Sequence, residues 1–373
     1  MTPNISVRNF RYLRAASFSL TFGVLGTVVI LHSFAASPFA QALASTATTT
    51  GGASVVTNPS AVTGKMLLFG PSAAPPPTPT PAPTPTPTPT PVPSPAPITN
   101  PPSGAVTYGW QLTSTNTGLA GAGINASTLP TFQGSISAGM TISRMKITTS
   151  LDLSNIPNVT LDHVLLIPSA GGNIRALILG PGTTIVDSDI DGSMMDHSGE
   201  QIGIYGCVPA GKTYSINRVN LTGMTVGAWL DCDGNGSMVD TYIHGLVSNN
   251  GAHMDGFTRR AGIGQLTVAR TRIDDSGASV TGALFFQSTW GGPIAGVLVT
   301  NSYLEGDGYV IGMSSGSAPG DITSAGFQNV RVRSTGWGPI STDHRVIYTS
   351  WTDVRQYDAS RLPLADGAAI ASQ

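Results

Sequence analysis

Charged side chains are scarce in this sequence. Of 373 residues, 18 are Lys or Arg and 20 are Asp or Glu, which gives a formal net charge of −2. A chain kept unfolded by charge repulsion would carry far more charge than this. Proteins that bind nucleic acid present a basic surface to its phosphates, and this composition does not predict one. We therefore expect a folded chain without a nucleic-acid partner.

Cysteine is nearly absent as well, with only Cys207 and Cys232 in the chain. Two cysteines without a CxxC motif make a poor zinc site, and we predict no metal site from them. In an oxidising compartment the pair could form one disulfide, which we predict here. Two free buried thiols are the alternative.

Only one long hydrophobic run is present, and it lies near the N-terminus. Arg8, Arg11 and Arg14 precede the apolar residues 15–31, and residues 42–44 (Ala-Leu-Ala) offer a cleavage site. These are the parts of a secretory signal peptide. An uncleaved membrane anchor is the alternative, although the run is short for a span. We assign residues 1–44 to the signal peptide or anchor and expect the rest to be secreted or at the cell surface.

Residues 45–104 have the composition of a linker. They are rich in Thr, Ser and Gly at first, and residues 75–97 then alternate Pro with Thr almost strictly. Such a run forms neither sheet nor α-helix and adopts an extended polyproline II conformation of about 3.1 Å per residue. The sequence predicts a disordered stalk whose Pro-Thr part spans roughly 70 Å. A Pro-rich recognition ligand is the alternative, but it would need a cytosolic partner.

Beyond residue 105 a short unit recurs. Abundant Gly, Thr, Val and Ile already indicate β-structure with many turns. The unit is an apolar residue, two free positions, a mostly small residue, one free position and a second apolar residue. Its first positions are Ile142, Leu161, Ile185, Ile216, Met238, Val268, Val299 and, less cleanly, Val332.

The spacing of this unit predicts a β-solenoid. Consecutive units begin 19 to 33 residues apart. The shorter spacings match one coil of a β-solenoid, and the longer ones leave room for loops. One unit has too little core to fold alone, and stacked coils would bury a continuous apolar column. A propeller would need four strands per blade of about 40 residues, which these spacings do not supply. Cys207 and Cys232, 25 positions apart, would lie on neighbouring coils.

Residues 105 to about 350 resemble the right-handed parallel β-helix proteins of the pectate-lyase-like group. Residues 115–121 (TNTGLAG), leading to Phe132-Gln-Gly, are similar to the entry coil of secreted bacterial members. Residues 242–246 (YIHGL) and 251–257 (GAHMDGF) resemble their "YIHDL … H-x-D-G-I" segment. The resemblance implies a right-handed parallel β-helix over residues 105–373. It does not settle function, because this fold hosts lyases, hydrolases, epimerases and adhesins.

A second set of aligned strands, starting at Gly203, Gly227, Gly256, Gly282 and Gly308, would form the sugar-binding surface. Side chains alternate along a strand, so one face presents mostly core residues. The other face would present Tyr205, Trp229, Thr258 and Leu284, followed by Asp231, Arg260 and Phe286. Aromatic rings stack on the apolar faces of pyranoses, and charged groups fix hydroxyls or carboxylates. If the predicted register is wrong by one residue, the two faces exchange. Alternatively, the aromatic rings pack beneath loops and bind no sugar.

The densest polar cluster in the chain supplies the candidate catalytic and binding residues. We predict Asp255, Asp231 and Arg260 as catalytic residues, and Tyr205, Trp229, His253 and Arg259 as substrate-binding residues. Cleavage of glycosides by acid–base catalysis needs two carboxyl groups roughly 5 to 9 Å apart. Asp231 or Asp233, one coil before Asp255, could supply the second. Alternatively, Asp255-Gly256 is a turn in which Asp255 caps backbone N–H groups.

Comparison with two enzyme types narrows the chemistry. Polygalacturonases share only Asp255-Gly256 of their "N-T-D-G" motif, and Asp274-Asp275 is expected in a turn rather than on the aligned strands. Pectate lyases would use calcium-binding acids and a catalytic Arg, for which Asp231, Asp233, Asp255 and Arg260 are the right types. Calcium is therefore the one cofactor considered, although the loop at Asp231 lacks the Glu that an EF-hand has at position 12.

The sequence thus leads to two functional hypotheses. The first is an exported β-helix that binds polysaccharide or a cell-surface glycan, with lyase or hydrolase activity if it is an enzyme. The second is a structural adhesin or stalked surface module without catalysis. They differ in whether Asp231, Asp255 and Arg260 converge in an open groove beside Tyr205 and Trp229.

Overall fold

The computed structural model describes residues 53–57, 65–69, 106–169, 174–196, 199–248, 253–276, 280–314, 321–342 and 346–373. The predicted signal peptide and the Pro-Thr run lie outside these residues. The chain divides into two units, Met1–Ser94 and Pro95–Gln373. Among the described residues, no helix is long and apolar enough to cross a membrane.

In the first unit the structure describes one hairpin. Strands β1 (Ala53–Thr57) and β2 (Lys65–Phe69) pair antiparallel, with Val55 opposite Leu67. The linker prediction for this stretch did not anticipate the pairing. Both strands are rich in residues that favour β-structure.

The second unit is a parallel β-solenoid, as predicted, with three strands per coil. We call the three stacks of strands the first, second and third ladders. The first ladder contains β3 (Thr141–Ser143), β6 (Thr160–Asp162), β9 (Thr184–Val186), β12 (Thr213–Asn217), β15 (Asn235–Val239), β18 (Leu266–Ala269) and β22 (Val297–Thr300). The second contains β4 (Lys146–Ile147), β7 (Leu165–Leu166), β10 (Asp189–Asp191), β13 (Asn220–Thr222), β16 (Tyr242–His244), β19 (Arg272–Asp275) and β23 (Tyr303–Gly306). Long strands β25 (Ile322–Ser334) and β27 (Val346–Tyr357) continue both, and the short β21 (Ile294–Ala295) pairs with the start of β25.

The third ladder forms a separate sheet of eight strands. In order they are β5 (Leu151–Asp152), β8 (Arg175–Ile178), β11 (Ile202–Gly206), β14 (Val226–Leu230), β17 (Met254–Arg259), β20 (Val280–Gln287), β24 (Tyr309–Ser314) and β26 (Gly338–Thr342). At the C-terminus β28 (Asp366–Ala369) pairs antiparallel with β27. The described helices are short: 3-10 turns at Gly109–Gln111, Ala126–Thr128 and Ala359–Arg361, and the α-turn Gly118–Gly121.

The repeat unit describes the bend between the first and second ladders. Its second free position has positive φ in each coil, at Arg144, His163, Asp187, Arg218, Asp240, Arg270, Asn301, Asn329 and Asp353. The residue that follows is buried in every coil after the first. Ser188, for example, accepts the N–H of Val164 from the preceding coil and donates to the carbonyl of Val186. In the units that begin at Ile142 through Phe327, both apolar positions belong to one continuous core.

The last repeat was assigned to the wrong residues. Val299 pairs with Phe327, and Leu304 pairs with Val332, so the eighth unit begins at Phe327 rather than at Val332. A ninth unit, not found from the sequence, begins at Trp351, which pairs with Phe327. Aromatic residues stand where the earlier coils have aliphatic ones, and this hid both units.

The predicted disulfide is also wrong, because both cysteines are free. Gly206 pairs with Leu230, so Val208 is level with Cys232, whereas Cys207 is level with Asp231. Side chains alternate along a strand, which leaves Cys207 exposed and Cys232 buried. The N–H of Val208 donates to the Cys232 sulfur at 3.2 Å. The coil here is 24 residues long, and the 25-residue spacing puts the two thiols on opposite faces.

The residues before the first coil run along the outside of the second ladder. Gly109 donates its N–H to the carbonyl of Asn301, and Gly118 donates to that of Arg218. Trp110 donates its indole N–H to the carbonyl of Pro363 near the C-terminus. We call this segment, residues 106–121, the strap, and it lies beside the first and second ladders.

Candidate functional site

The outer face of the third ladder carries a column of side chains in register. From coil to coil the column reads Ile178, Tyr205, Trp229, Thr258, Phe285, Gly312 and Ser341. The inner column, which fills the core, reads Ile204, Ala228, Phe257, Leu284 and Ile311. Tyr205 and Trp229 are therefore neighbours on the outer face, as predicted. Their role in binding stays a prediction.

Beyond Thr258 the predicted register fails by one residue. Thr258 pairs with Phe285, whereas Leu284 and Phe286 are fully buried. The register between β17 and β20 shifts at Met254/Asp255, so Gly282 pairs with Asp255 rather than with Gly256. Because side chains alternate, this slip exchanges the two faces. Phe285 is thus the outward aromatic residue that sequence reasoning missed.

Trp229 and Arg260 form the centre of this face. The Arg260 guanidinium lies 3.9 Å from the centroid of the Trp229 ring and 5.1 Å from that of Trp290, which is 61% exposed. One nitrogen of the guanidinium is 3.9 Å from a carboxylate oxygen of Glu200. Cation–π stacking of this kind holds the long Arg side chain in a fixed position.

Asp231 holds this arrangement in place. Its Oδ2 accepts the indole N–H of Trp229 at 2.6 Å. Its Oδ1 accepts the backbone N–H groups of Arg260 and Ala261 from the next coil, at 2.6 and 3.2 Å. Both carboxylate oxygens are therefore committed to positioning other groups.

Tyr205 extends the aromatic surface by one coil. Its ring meets that of Trp229 edge to face, with centroids 5.9 Å apart. The Arg175 guanidinium lies 3.9 Å from the centroid of the Tyr205 ring on the other side. Burial raises the pKa of Tyr205 to about 12, so its hydroxyl stays protonated at neutral pH.

Asp255 lies on strand β17 and is fully buried, so its assignment to a turn is wrong. Its Oδ2 accepts the hydroxyl of Thr258 at 2.9 Å. Burial raises the pKa of Asp255 to about 7. Asp255 is thus closed to solvent, while the charges of Arg260 and Glu200 also act on its pKa, and its catalytic role stays a prediction.

Asp275 was expected in a turn, and that expectation is also wrong. It ends strand β19, pairs with Gly306 and is fully buried. Burial raises its pKa well above the usual range, and the nearby charge of Asp255 raises it further. The alternation of β19, Ile273 inward and Asp274 outward, could have indicated a buried position for Asp275.

Arg259 was predicted to bind substrate, and in the structure its side chain is fully buried, so that role stays a prediction without an exposed group to support it. Its Nη2 donates to the carbonyls of Cys232 and Gly264, both at 3.0 Å, and its Nε donates to that of Ala261 at 3.1 Å. Thr258 stands in the outer register column, although its side chain is buried, and alternation turns the next residue inward. His253, by contrast, is exposed, and its Nδ1 lies 2.6 Å from the Thr281 hydroxyl.

A cleft of about 230 Å³ lies on the same face, above Gly312. Phe285, Tyr309 and Trp337 supply its aromatic walls, with the last two rings edge to face at 5.7 Å. Its other lining residues are Thr281, Met313, Ser314, Ser341 and Thr342. Sequence reasoning missed this cleft, although a glycine within a strand pattern signals close approach of another group. We call it the Gly312 cleft, and we call the surface with Tyr205, Trp229, Trp290, Phe285, Tyr309 and Trp337 the aromatic face.

A larger cleft of about 590 Å³ lies under the strap, on the other side of the solenoid. Its charged residues pair with each other: Arg218 binds both carboxylate oxygens of Asp187, and Arg270 binds both of Asp240. These bidentate pairs tie neighbouring bends together. The charges are thus engaged, and the aromatic face is the better candidate site.

The residues considered for calcium serve another purpose. Asp233 accepts the N–H of Ile263, and Asn235 accepts that of Gln265, so with Asp231 they align the loop of the next coil. Within the described residues, no group of three or more His, Cys, Asp or Glu side chains could hold a metal ion. Calcium therefore stays a prediction without a defined site.

Comparison with known proteins adds no family to this description. The chain matches no family model, no curated protein and no solved structure. What stands from the sequence resemblance is therefore the parallel β-solenoid, while membership of the pectate-lyase-like group stays a prediction.

Proposed function

We propose that this protein binds polysaccharide along the aromatic face of its solenoid. One observation carries the proposal: Tyr205, Trp229 and Phe285 stand in one outward register column, and Trp290 and Trp337 are exposed on the same face. Exposed large apolar groups in a cluster mark a binding surface. Flat rings flanked by Arg and hydroxyl groups suit pyranoses, which have apolar faces and polar edges.

Binding without cleavage is the activity that this geometry supports best. Acid–base cleavage needs two carboxyl groups that reach the glycosidic bond. Asp231 uses both oxygens to hold Trp229, Arg260 and Ala261, and Asp255 is buried. In this proposal Asp231 positions binding residues, Arg260 contacts the polymer, and Asp255 supports the sheet.

The proposal includes export and display. The Arg-rich start, the apolar residues 15–31 and the Ala-Leu-Ala sequence at 42–44 support passage out of the cytoplasm. The Pro-Thr run would hold the solenoid away from a surface. Fractionation of producing cells, with N-terminal sequencing of the exported form, tests this part. Full-length protein retained in the cytoplasm would contradict it.

The function is tested by retention of the full chain on a panel of immobilised polysaccharides. The same samples are assayed for unsaturated products and new reducing ends, with calcium and with a chelator. We expect retention without products. Trp229→Ala should weaken retention roughly tenfold, which corresponds to about 1.4 kcal/mol. Ile347→Ala is the control, because Ile347 is an exposed hydrophobic residue on β27, outside the aromatic face.

The other outcomes have distinct meanings. Products that disappear in Asp231→Asn or Arg260→Ala would favour a lyase or hydrolase over a binding protein. Neither retention nor products with any polymer would overturn the proposal and favour the structural adhesin.

A further inference from the structure

The Gly312 cleft differs from the rest of the aromatic face in its chemistry. Near Trp229 the face carries Arg175, Arg260, Glu200 and Asp231. The described residues that line the Gly312 cleft include no charged side chain, only aromatic rings, hydroxyl groups, Met313 and a glycine. These described lining residues offer no countercharge to a charged ligand group, which would lose water at a cost.

The cleft exists because one side chain is missing from the column. Phe285 and Ser341 occupy the neighbouring positions on either side of Gly312. A Cβ atom built at Gly312 would lie 3.5 Å from the Phe285 ring and 3.7 Å from the Leu284 carbonyl, which are ordinary contacts. The glycine is therefore not required by backbone crowding, and its φ is not in the left-handed region. What it provides is space.

The walls of the cleft present ring surface to solvent. Trp337 is 68% exposed and Tyr309 is 37% exposed, and their rings meet edge to face beside the floor. The volume of about 230 Å³ is below the roughly 300–1,000 Å³ of pockets for drug-sized molecules, so the space suits a single ring. The hydroxyl group of Ser341 lines the cleft and can pair with a sugar hydroxyl.

We propose that the Gly312 cleft binds one neutral pyranose residue of the polymer, stacked on Trp337, and that the missing side chain at position 312 makes room for it. This inference rests on the proposed function. It extends that function by naming the sugar class, an uncharged pyranose rather than a uronate. It also assigns Gly312 as a residue that determines specificity.

The test uses the full chain and two sets of polymers. The neutral set is galactan, mannan, xylan and a β-glucan, and the anionic set is polygalacturonate and alginate. We expect retention on at least one neutral polymer, and added salt should change it by less than twofold because no ion pair is made. Attraction to an anionic polymer would weaken with salt.

Gly312→Thr is the sharpest variant. It fills the cleft, and a β-branched residue suits a strand interior where glycine weakens the sheet, so the thermal midpoint should stay or rise. We expect at least tenfold weaker binding to the neutral polymer. Trp337→Ala, at an exposed position, should give a similar loss without unfolding, while Gly312→Ala should have an intermediate effect. Ile347→Ala is again the control.

The results distinguish the inference about the Gly312 cleft from the broader proposal that the aromatic face binds polysaccharide. Neutral-polymer binding that is lost in Gly312→Thr and Trp337→Ala supports the inference. Binding that both variants retain, or binding to anionic polymers alone, overturns the inference but leaves polysaccharide binding by the aromatic face intact. No binding to either set overturns both.

Discussion

The Asp231 carboxylate of one coil accepts the backbone N–H of Arg260 in the next coil at 2.6 Å. The same carboxylate accepts the indole N–H of Trp229, whose ring carries the Arg260 guanidinium. Asp231 therefore fixes both the backbone and the stacking partner of Arg260. Asp231, which the sequence predicts as catalytic, connects two coils of the candidate site.

Asp231→Ala should destabilise the protein and weaken binding together. Loss of a charged acceptor leaves partly buried N–H groups of Arg260 and Ala261 unpaired, at about 1–3 kcal/mol for such a group. Denaturant unfolding and polymer retention measure the two effects. Asp233→Ala is the matched control, since Asp233 is exposed and holds only the N–H of Ile263. Equal effects of the two variants would contradict the role given to Asp231.

Arg259 and Arg260 should respond in opposite ways to substitution. Arg259→Met removes three hydrogen bonds to backbone carbonyls, of about 1.5–3 kcal/mol each for a charged donor, so we expect a loss of several kcal/mol in unfolding free energy. Arg260→Met removes a partly exposed guanidinium from Trp229 and should mainly reduce polymer retention. Unfolding curves and retention of both variants provide the check. A folded Arg259→Met protein that fails only in binding would refute the structural role of Arg259.

The two thiols should react independently. Cys207 is exposed, whereas Cys232 is buried, and burial raises the pKa of the Cys232 thiol to about 12. Titration with a thiol reagent should find about one reactive group in the native protein and about two after unfolding without reductant. Reductant should leave the thermal midpoint unchanged. A mass lower by two hydrogens, together with no titratable thiol, would show that a disulfide forms after all.

Asp255 should make stability fall as pH rises. Its pKa in the folded protein is about 7, against an ordinary value of 3.8, because burial disfavours the charged form. The folded state thus binds the proton more tightly, and the stability this contributes below about pH 4 is lost as pH rises through 7. Asp255→Asn keeps an acceptor for the Thr258 hydroxyl and cannot ionise.

The stability of Asp255→Asn relative to the original chain should therefore increase between pH 4 and 7 and level off above 7. At about 1.4 kcal/mol per pKa unit, the change is on the order of 4 kcal/mol at most. Denaturant unfolding at several pH values measures it. Parallel stability curves for the two proteins would mean that Asp255 titrates normally.

The sequence predicted the coil pattern because that pattern is local. Each unit places two apolar residues inward around a bend, and the coils from Ile142 to Val299 were found this way. The bend residue itself, with positive φ from Arg144 to Asp353, could not be recognised because Arg, His, Asp and Asn all occupy it. Phe327 and Trp351 broke the aliphatic pattern and hid the last coils.

The part of the candidate site that follows a local sequence pattern was also predicted. Tyr205 and Trp229 each follow a glycine by two positions on their strands, so the sequence was enough to align the two rings. The register between β17 and β20 shifts at Met254/Asp255, so Phe285 and Gly312 could not be placed from the sequence.

By itself, the sequence determined a parallel β-solenoid, since a short repeat with two inward apolar positions has no other way to bury them. Only the tertiary structure decided which side chains meet between coils. It separated Cys207 from Cys232, buried Arg259, and opened the Gly312 cleft between Phe285 and Ser341. The physical reason is that side chains alternate between the two faces of a strand. A difference of one residue in coil length therefore turns the side chains that follow to the opposite face.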